Sequence, residues 1–350
     1  MLRGRPGTPL SPADCAPCAV AATALSALWA KSGGHRRPHH PLLGHALDTA
    51  AVCHELWHRF LPTPARQQLL CWAGTRDEQG VVGWLAFLAS LHDLGKASPG
   101  FQVQWLPGRR RLEALGFGFP MAARAEHDRP TLELLPPLLV SLSQPGGAVP
   151  FLGARSLAWA LAGHHLPQLT PRGPRLSLAR DGGDQLWGAT RAELVAALAC
   201  LSGGVPVPPG LAAADPGLLV ALGGLTQLAD WIASTPGWFP AAGVVQDWRA
   251  YWTTAQSRAC RVAGLVAGAA ASWCWDATAS RGRSSALLHG LARLGELILA
   301  LVPEPCDARA GRLSAAWSRR RDMRLQAAAA PRPWLSAFSR GPMTPLGGDH

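Results

Sequence analysis

Residues 91–98 read Leu-His-Asp-Leu-Gly-Lys-Ala-Ser and set the tightest bound on how this chain can fold. His92 and Asp93 put an imidazole beside a carboxylate where an apolar run ends. These two ligand types hold first-row divalent metals, and a carboxylate can be shared between two such ions. Gly95 then allows the backbone to turn closely, and Lys96 supplies a cation. Of 33 basic residues only Lys31 and Lys96 are lysines, which leaves 31 arginines. A lysine inside this segment therefore stands out from an arginine-rich background.

With 350 residues and 48% apolar side chains, the chain can bury about three quarters of its unfolded surface. The formal charge of +11 and a pI near 10.2 favour a polyanionic partner or an anionic substrate. Eight cysteines are scattered without a disulfide-scaffold spacing. Cys15 and Cys18 form one Cys-x-x-Cys with no second pair at zinc-ribbon distance, so the cysteines read as reduced thiols of a cytoplasmic protein. No signal peptide opens the chain. The longest uncharged window, residues 262–275, is too short to span a bilayer, so no membrane association is expected.

Along the chain, apolar residues recur at helical spacing and no strand pattern persists. Residues 1–19 read as a frayed N-terminus and residues 20–262 as one all-α domain. Within it, helices are expected over 21–29, 42–60, 81–92, 131–143, 151–163, 185–201, 218–234 and 244–262. Pro136-Pro137 should kink or break the fourth of these. Arg109, Arg110 and Arg111 fall in an expected loop, as do Arg172, Arg175 and Arg180. Residues 263–350 form a motif-poor tail with one helix near 285–302 and the remainder disordered.

The helix over 42–60 carries two histidine features. His45 lies beside apolar Val52 and Leu56 and, taken alone, reads as a core histidine. His54-Glu55-Leu56-Trp57-His58 fits the zinc-protease pattern His-Glu-x-x-His. No third ligand follows, because Arg59-Phe60-Leu61-Pro62 ends the helix. His54 and His58 also lie about 140–180° around the helix from His45, at about 100° per residue. The pentapeptide is therefore read as a surface face. His127 alone would read as a solvated loop histidine, and His164-His165 as the end of an apolar helix. Asp230 sits in an apolar helix, where an acid is costly to bury unless paired or bound to metal.

Taken together, His45, His92-Asp93, His127, His164-His165 and Asp230 make five imidazoles and two carboxylates. Their order resembles that of the HD-domain metal-dependent phosphohydrolases. More closely, the chain resembles the HD nuclease of type I CRISPR interference, the nuclease part of the CRISPR-associated helicase-nuclease. The matching stretches are Leu28-Trp29-Ala30-Lys31-Ser32, His40-Pro41-Leu42-Leu43-Gly44-His45 with Leu47-Asp48, and residues 91–98 with Phe101-Gln102. His127, Gly163-His164-His165 and Leu228-Ala229-Asp230-Trp231-Ile232-Ala233-Ser234 continue the match over roughly residues 20–260.

The resemblance implies an all-α HD bundle that cleaves single-stranded DNA with two divalent ions. His45, His92, Asp93 and Asp230 would hold one ion. Asp93, His127, His164 and His165 would hold the other. Asp93 and Lys96 would act in catalysis, and Lys96 with Ser234 would contact nucleic acid. Histidine-rich ligation suits manganese, iron, nickel or cobalt better than magnesium. The implied partners are an RNA-guided surveillance complex and a helicase. A helicase needs a phosphate-binding loop ending in Gly-Lys-Ser/Thr. Lys31 follows Ala30 and Lys96 precedes Ala97, so no such loop exists here. The expectation is a stand-alone nuclease subunit or a truncated helicase-nuclease. The alternative activity is hydrolysis of nucleotides or cyclic nucleotides.

Overall fold

The computed structural model describes residues 19–32, 39–119, 126–142, 151–165, 182–202 and 216–273. Helices α1 (Ala19–Ala27), α2 (Leu42–Arg59), α3 (Thr63–Trp72), α4 (Glu78–Ser90), α5 (Pro99–Gln102) and α6 (Leu106–Ala114) make up the first half. Helices α7 (Asp128–Leu142), α8 (Phe151–Ala162), α9 (Gln185–Leu201), α10 (Pro216–Ala233) and α11 (Trp248–Trp273) complete it. Two short strands, β1 (Trp29–Lys31) and β2 (His40–Pro41), pair antiparallel. The all-α expectation holds, with this ribbon as its one departure among the described residues.

Helix starts follow local chemistry. Asp77 caps α4 by accepting from the Gly80 N–H at 2.9 Å. Asp184 caps α9 through the Leu186 N–H at 3.0 Å, and Asp247 caps α11 through the Arg249 N–H at 2.8 Å. Each satisfies a donor that the first turn leaves open.

α2 is the axis of the bundle. It is buried from Leu42 through Cys53 and is packed by α4, α10 and α11. Leu43, Leu47, Leu56 and Trp57 fill this interior. A buried polar knot fastens α11 to it: Asp48 Oδ2 accepts from the Tyr251 hydroxyl at 2.9 Å and from His40 Nε2 at 3.0 Å. The Ala242 N–H donates to His40 Nδ1 at 3.3 Å, which leaves Nε2 as the ring donor.

Several expectations shift. α1 ends before Trp29, and β1 takes over. Arg109–Arg111 lie on α6 rather than in a loop. α7 continues through Pro136 and Pro137, because Leu134, Leu135 and Leu139 are locked into the core against α8. α11 extends to Trp273, past residue 262. Cys53, Cys71 and Cys260 are free thiols, but Cys200 is disulfide-bonded, so the cysteines are not uniformly reduced. Among the described residues no helix is long and apolar enough to cross a membrane. Residues 1–18, the loop arginines Arg172, Arg175 and Arg180, the helix expected near 285–302 and the rest of the tail lie outside the described residues.

Candidate metal centre

Five separate segments converge at one end of α2. His45 lies in the first turns of α2, and His92 and Asp93 follow the end of α4. His127 precedes α7, His164 sits in the 3-10 turn Gly163–His165 after α8, and Asp230 is in the last turn of α10. All are buried except His127, which is half-buried.

The two oxygens of Asp93 face different neighbours. Oδ2 lies 3.3 Å from His45 Nε2 and 3.4 Å from His92 Nε2. Oδ1 lies 3.0 Å from His127 Nε2 and 3.9 Å from His164 Nε2. Asp230 Oδ1 closes the first set at 3.0 Å from His45 Nε2 and 3.6 Å from His92 Nε2. Lys96 Nζ stands 2.6 Å from Asp93 Oδ2 and 5.5 Å from the centre of the Phe101 ring.

Backbone carbonyls fix which ring nitrogen faces inward. His92 Nδ1 donates to Ala89 O at 2.8 Å, and His164 Nδ1 donates to Leu161 O at 2.6 Å. A carbonyl can only accept, so in each ring Nδ1 carries the proton and Nε2 is aimed at the carboxylates. This is the usual outer support of a metal-binding histidine.

The donor set fits a divalent metal. His45 Nε2, His92 Nε2 and both Asp93 oxygens are buried without an aligned hydrogen bond, although buried polar atoms are almost always satisfied. Three groups could each enclose an ion, with ligand atoms within 4.8 Å of one another: His45-His92-Asp230, His92-Asp93-His164 and His127-Asp128-His164. The mixed imidazole and carboxylate chemistry is that of first-row divalent metals.

The electrostatics are those of a tightly coupled pocket. Burial disfavours the Asp93 carboxylate, but His92, Lys96 and His127 overcome it and hold the group well below the usual carboxylate range. Asp230 is likewise held far down against its burial, by His45 and His92. His92 is depressed by burial, yet Asp93 and Asp230 raise it to about 10. His45 goes the other way, because burial and the Lys31 charge outweigh the same carboxylates.

A close backbone contact joins the two halves. The Thr131 hydroxyl accepts from the Gly95 N–H at 2.9 Å and donates to His92 O at 3.1 Å. A Cβ on Gly95 would meet His127 O at 2.0 Å and the Thr131 N at 2.6 Å. Gly95 has no left-handed backbone. It is needed for the approach of α7, not for the turn expected from sequence.

Of the sequence-predicted residues, the structure brings His45, His92, Asp93, Lys96, His127, His164, Asp230 and Ser234 together. The side chain of His165 lies outside the described residues. Asp128 was missed: its Oδ1 is 3.2 Å from His127 Nε2, but an acid opening a helix reads as an ordinary first-turn residue. Lys31 was noted and given no role, yet its ammonium donates to Ser234 Oγ at 2.6 Å. His54, Glu55 and His58 form no such group among the described residues. Arg109 pairs with Glu113 at 2.7 Å, and Arg111 stacks on Trp105 at 5.4 Å.

A helical bundle enclosing a buried His-Asp pair with further imidazoles from distant segments defines an HD-type metal protein. More particularly, the family model described as "Cas3, HD domain" matches residues 29–239, and the chain belongs to that family. It is 36% identical over 217 residues to the CRISPR-associated endonuclease/helicase Cas3 of Thermus thermophilus, covering 61% of this chain and 22% of that protein. The chain thus spans less than a quarter of that relative. The crystal structure of the Thermus thermophilus cas3 HD domain in the presence of Ni2+ is similar at a TM-score of 0.52 and 31% identity, covering 75% of this chain and 95% of that one. A second, described as a CRISPR-associated protein, is similar at a TM-score of 0.60 and 31% identity, covering 76% of this chain and 29% of that one.

Proposed function

We propose that this protein is a metal-dependent nuclease that cleaves single-stranded DNA in CRISPR antiviral defence. The observation that carries the reading is the division of Asp93: one oxygen faces His45 and His92, the other faces His127 and His164. A carboxylate so placed suits a bridge between two cations.

In this reading His45, His92, Asp93 and Asp230 hold one divalent ion. Asp93, His127, His164 and His165 hold a second, with Asp128 within reach of it. Such ions, when bound, supply Lewis acidity and a water nucleophile at neutral pH. Two divalent charges against the two carboxylates leave a net positive pocket suited to a phosphodiester. Manganese, iron, nickel and cobalt suit this nitrogen-rich set better than magnesium.

The chain's own residues do the rest. The carbonyls of Ala89 and Leu161 keep His92 and His164 in the ligand tautomer. Lys96 is a compact point cation that donates to a non-bridging phosphate oxygen and to the charge that grows there. Phe101 beneath it keeps the ammonium from swinging away. Ser234, hydrogen-bonded to Asp230 Oδ1 at 2.8 Å, lines the DNA side. The proposed partners are a helicase on a separate chain or segment and an RNA-guided surveillance complex, all acting in the cytoplasm.

The test is incubation of the protein with circular single-stranded DNA and Mn2+, Co2+, Ni2+ or Mg2+. Linearisation by the wild type and not by Asp93→Asn is expected. Cleavage by Asp93→Asn at the wild-type rate would overturn the reading, as would nucleotide hydrolysis without strand cleavage.

A further inference from the structure

The chain contains two lysines, and the fold puts both at the same pocket. Lys96 Nζ is 2.6 Å from Asp93 Oδ2. Lys31 reaches the other carboxylate through a hydroxyl: it donates to Ser234 Oγ at 2.6 Å, and Ser234 donates to Asp230 Oδ1 at 2.8 Å. In a chain whose other basic residues are all arginine, the same small cation stands at both places.

Their spacing is built in by one residue. Gln102 is fully buried. Its side-chain amide accepts from the Trp29 N–H at 3.2 Å and donates to Trp29 O and to Lys96 O, each at 2.8 Å. The strand that carries Lys31 and the turn that carries Lys96 are therefore clipped to each other by a single side chain. The Trp29 indole on Phe101, with ring centres 4.6 Å apart, stiffens the same junction.

A charge argument says what the pair is for. Asp93 and Asp230 are the anions that each lysine now faces. When divalent cations take those carboxylates, two largely desolvated ammonium groups lose their counter-charge, and a buried unpaired charge is costly. An entering anion restores the balance. The non-bridging oxygens of a phosphodiester supply that charge and the acceptors for both ammonium groups.

We propose that Lys31 is a phosphate-binding residue of this site and forms with Lys96 a two-point clamp on a phosphodiester, its spacing set by Gln102. The clamp rests on the reading of the pocket as a DNA phosphodiester site, and binding can be tested apart from cleavage. The probe is a phosphorothioate oligodeoxythymidylate, titrated by fluorescence anisotropy onto Mn2+-loaded protein across a salt series. Mn2+ affinity without oligonucleotide is measured alongside by calorimetry.

Lys31→Met and Lys31→Gln should each weaken oligonucleotide binding about tenfold and reduce the salt slope by about one. Lys31→Arg should keep most of the affinity, and Mn2+ affinity should not fall in any of the three. Wild-type oligonucleotide affinity in Lys31→Met would overturn the clamp. So would full affinity in Lys31→Gln, which keeps a donor toward Ser234 without the charge and carries the comparison alone if the Met variant does not fold. A parallel loss of Mn2+ affinity would also overturn it, reducing Lys31 to a support for Asp230. If the clamp fails while circular DNA is still linearised, the nuclease reading stands. If affinity falls as expected but no DNA is cut, the clamp stands and the nuclease reading falls.

Discussion

Helix α2 carries histidines at two places, and they have opposite fates. His45, in its first turns, is fully buried and points at Asp93 and Asp230 from two other helical segments. His54 and His58, further along, match a well-known zinc pattern and sit toward solvent. His54 meets its neighbour Glu55 at 3.7 Å and the His58 ring at 4.9 Å between centres, and Glu55 is held by Arg59 at 2.8 Å. The pentapeptide supplies ligand types one turn apart, yet among the described residues it joins no metal-sized group. His45 has no second ligand type one turn away and meets acids from segments up to 185 residues away. In this protein the metal chemistry comes from convergence in space, and local spacing alone is misleading.

The comparison can be broken most directly by truncating each histidine. His45→Ala should lower metal-dependent cleavage by at least about a hundredfold, more than loss of an outer support costs, read as initial rates on circular single-stranded DNA. Next comes Gly95→Ala. Its methyl group has no space between His127 O and Thr131, so thermal unfolding should show a loss of about 3 kcal/mol, with a matching fall in bound metal. Tyr251→Phe removes a buried donor to Asp48 and should cost about 2 kcal/mol in denaturant unfolding.

Protonation sharpens the contrast further. If His92 Nε2 holds a metal as proposed, the ion must displace the proton that Asp93 and Asp230 keep there up to about pH 10. Metal affinity should therefore rise with pH, by as much as about tenfold per unit below that value, as calorimetry at pH 6.5 and 8 would show. The metal-free fold responds with the opposite sign. The raised His92 stabilises it fully below the ordinary value of 6.5, and that contribution is lost as pH climbs toward about 10. The smallest effect is expected at the outer face: His58→Ala should leave cleavage unchanged and stability within about 0.5 kcal/mol.

Helices with strong apolar periodicity were legible from sequence. α2 was expected over 42–60 and runs Leu42–Arg59, and α9 was expected and found over 185–201. The ribbon of β1 and β2 was not, because strands of three and two residues carry no period to detect. α6 was read as loop because its three consecutive arginines mask two buried positions, Gly108 and Leu112. The members of the buried His-Asp cluster were legible through a family pattern and not through physics alone, since His45 and His127 each have an ordinary local explanation. The contacts of Lys31, Asp128, Thr131 and Gln102 were not legible for a different reason. Their contacts are tertiary, as with Gln102 and Trp29, 73 residues apart, or hide in an ordinary helix start, as with Asp128.

The single hydroxyl of Thr131 acts on the whole centre. By accepting a hydrogen bond from the Gly95 N–H and donating one to the His92 carbonyl, it behaves as a rivet between α7 and the turn that holds His92. The approach of the His92 turn to the start of α7, just after His127, is thereby dictated by main chain and one small alcohol. Any cation entering between these imidazoles would meet a frame already drawn by the peptide backbone.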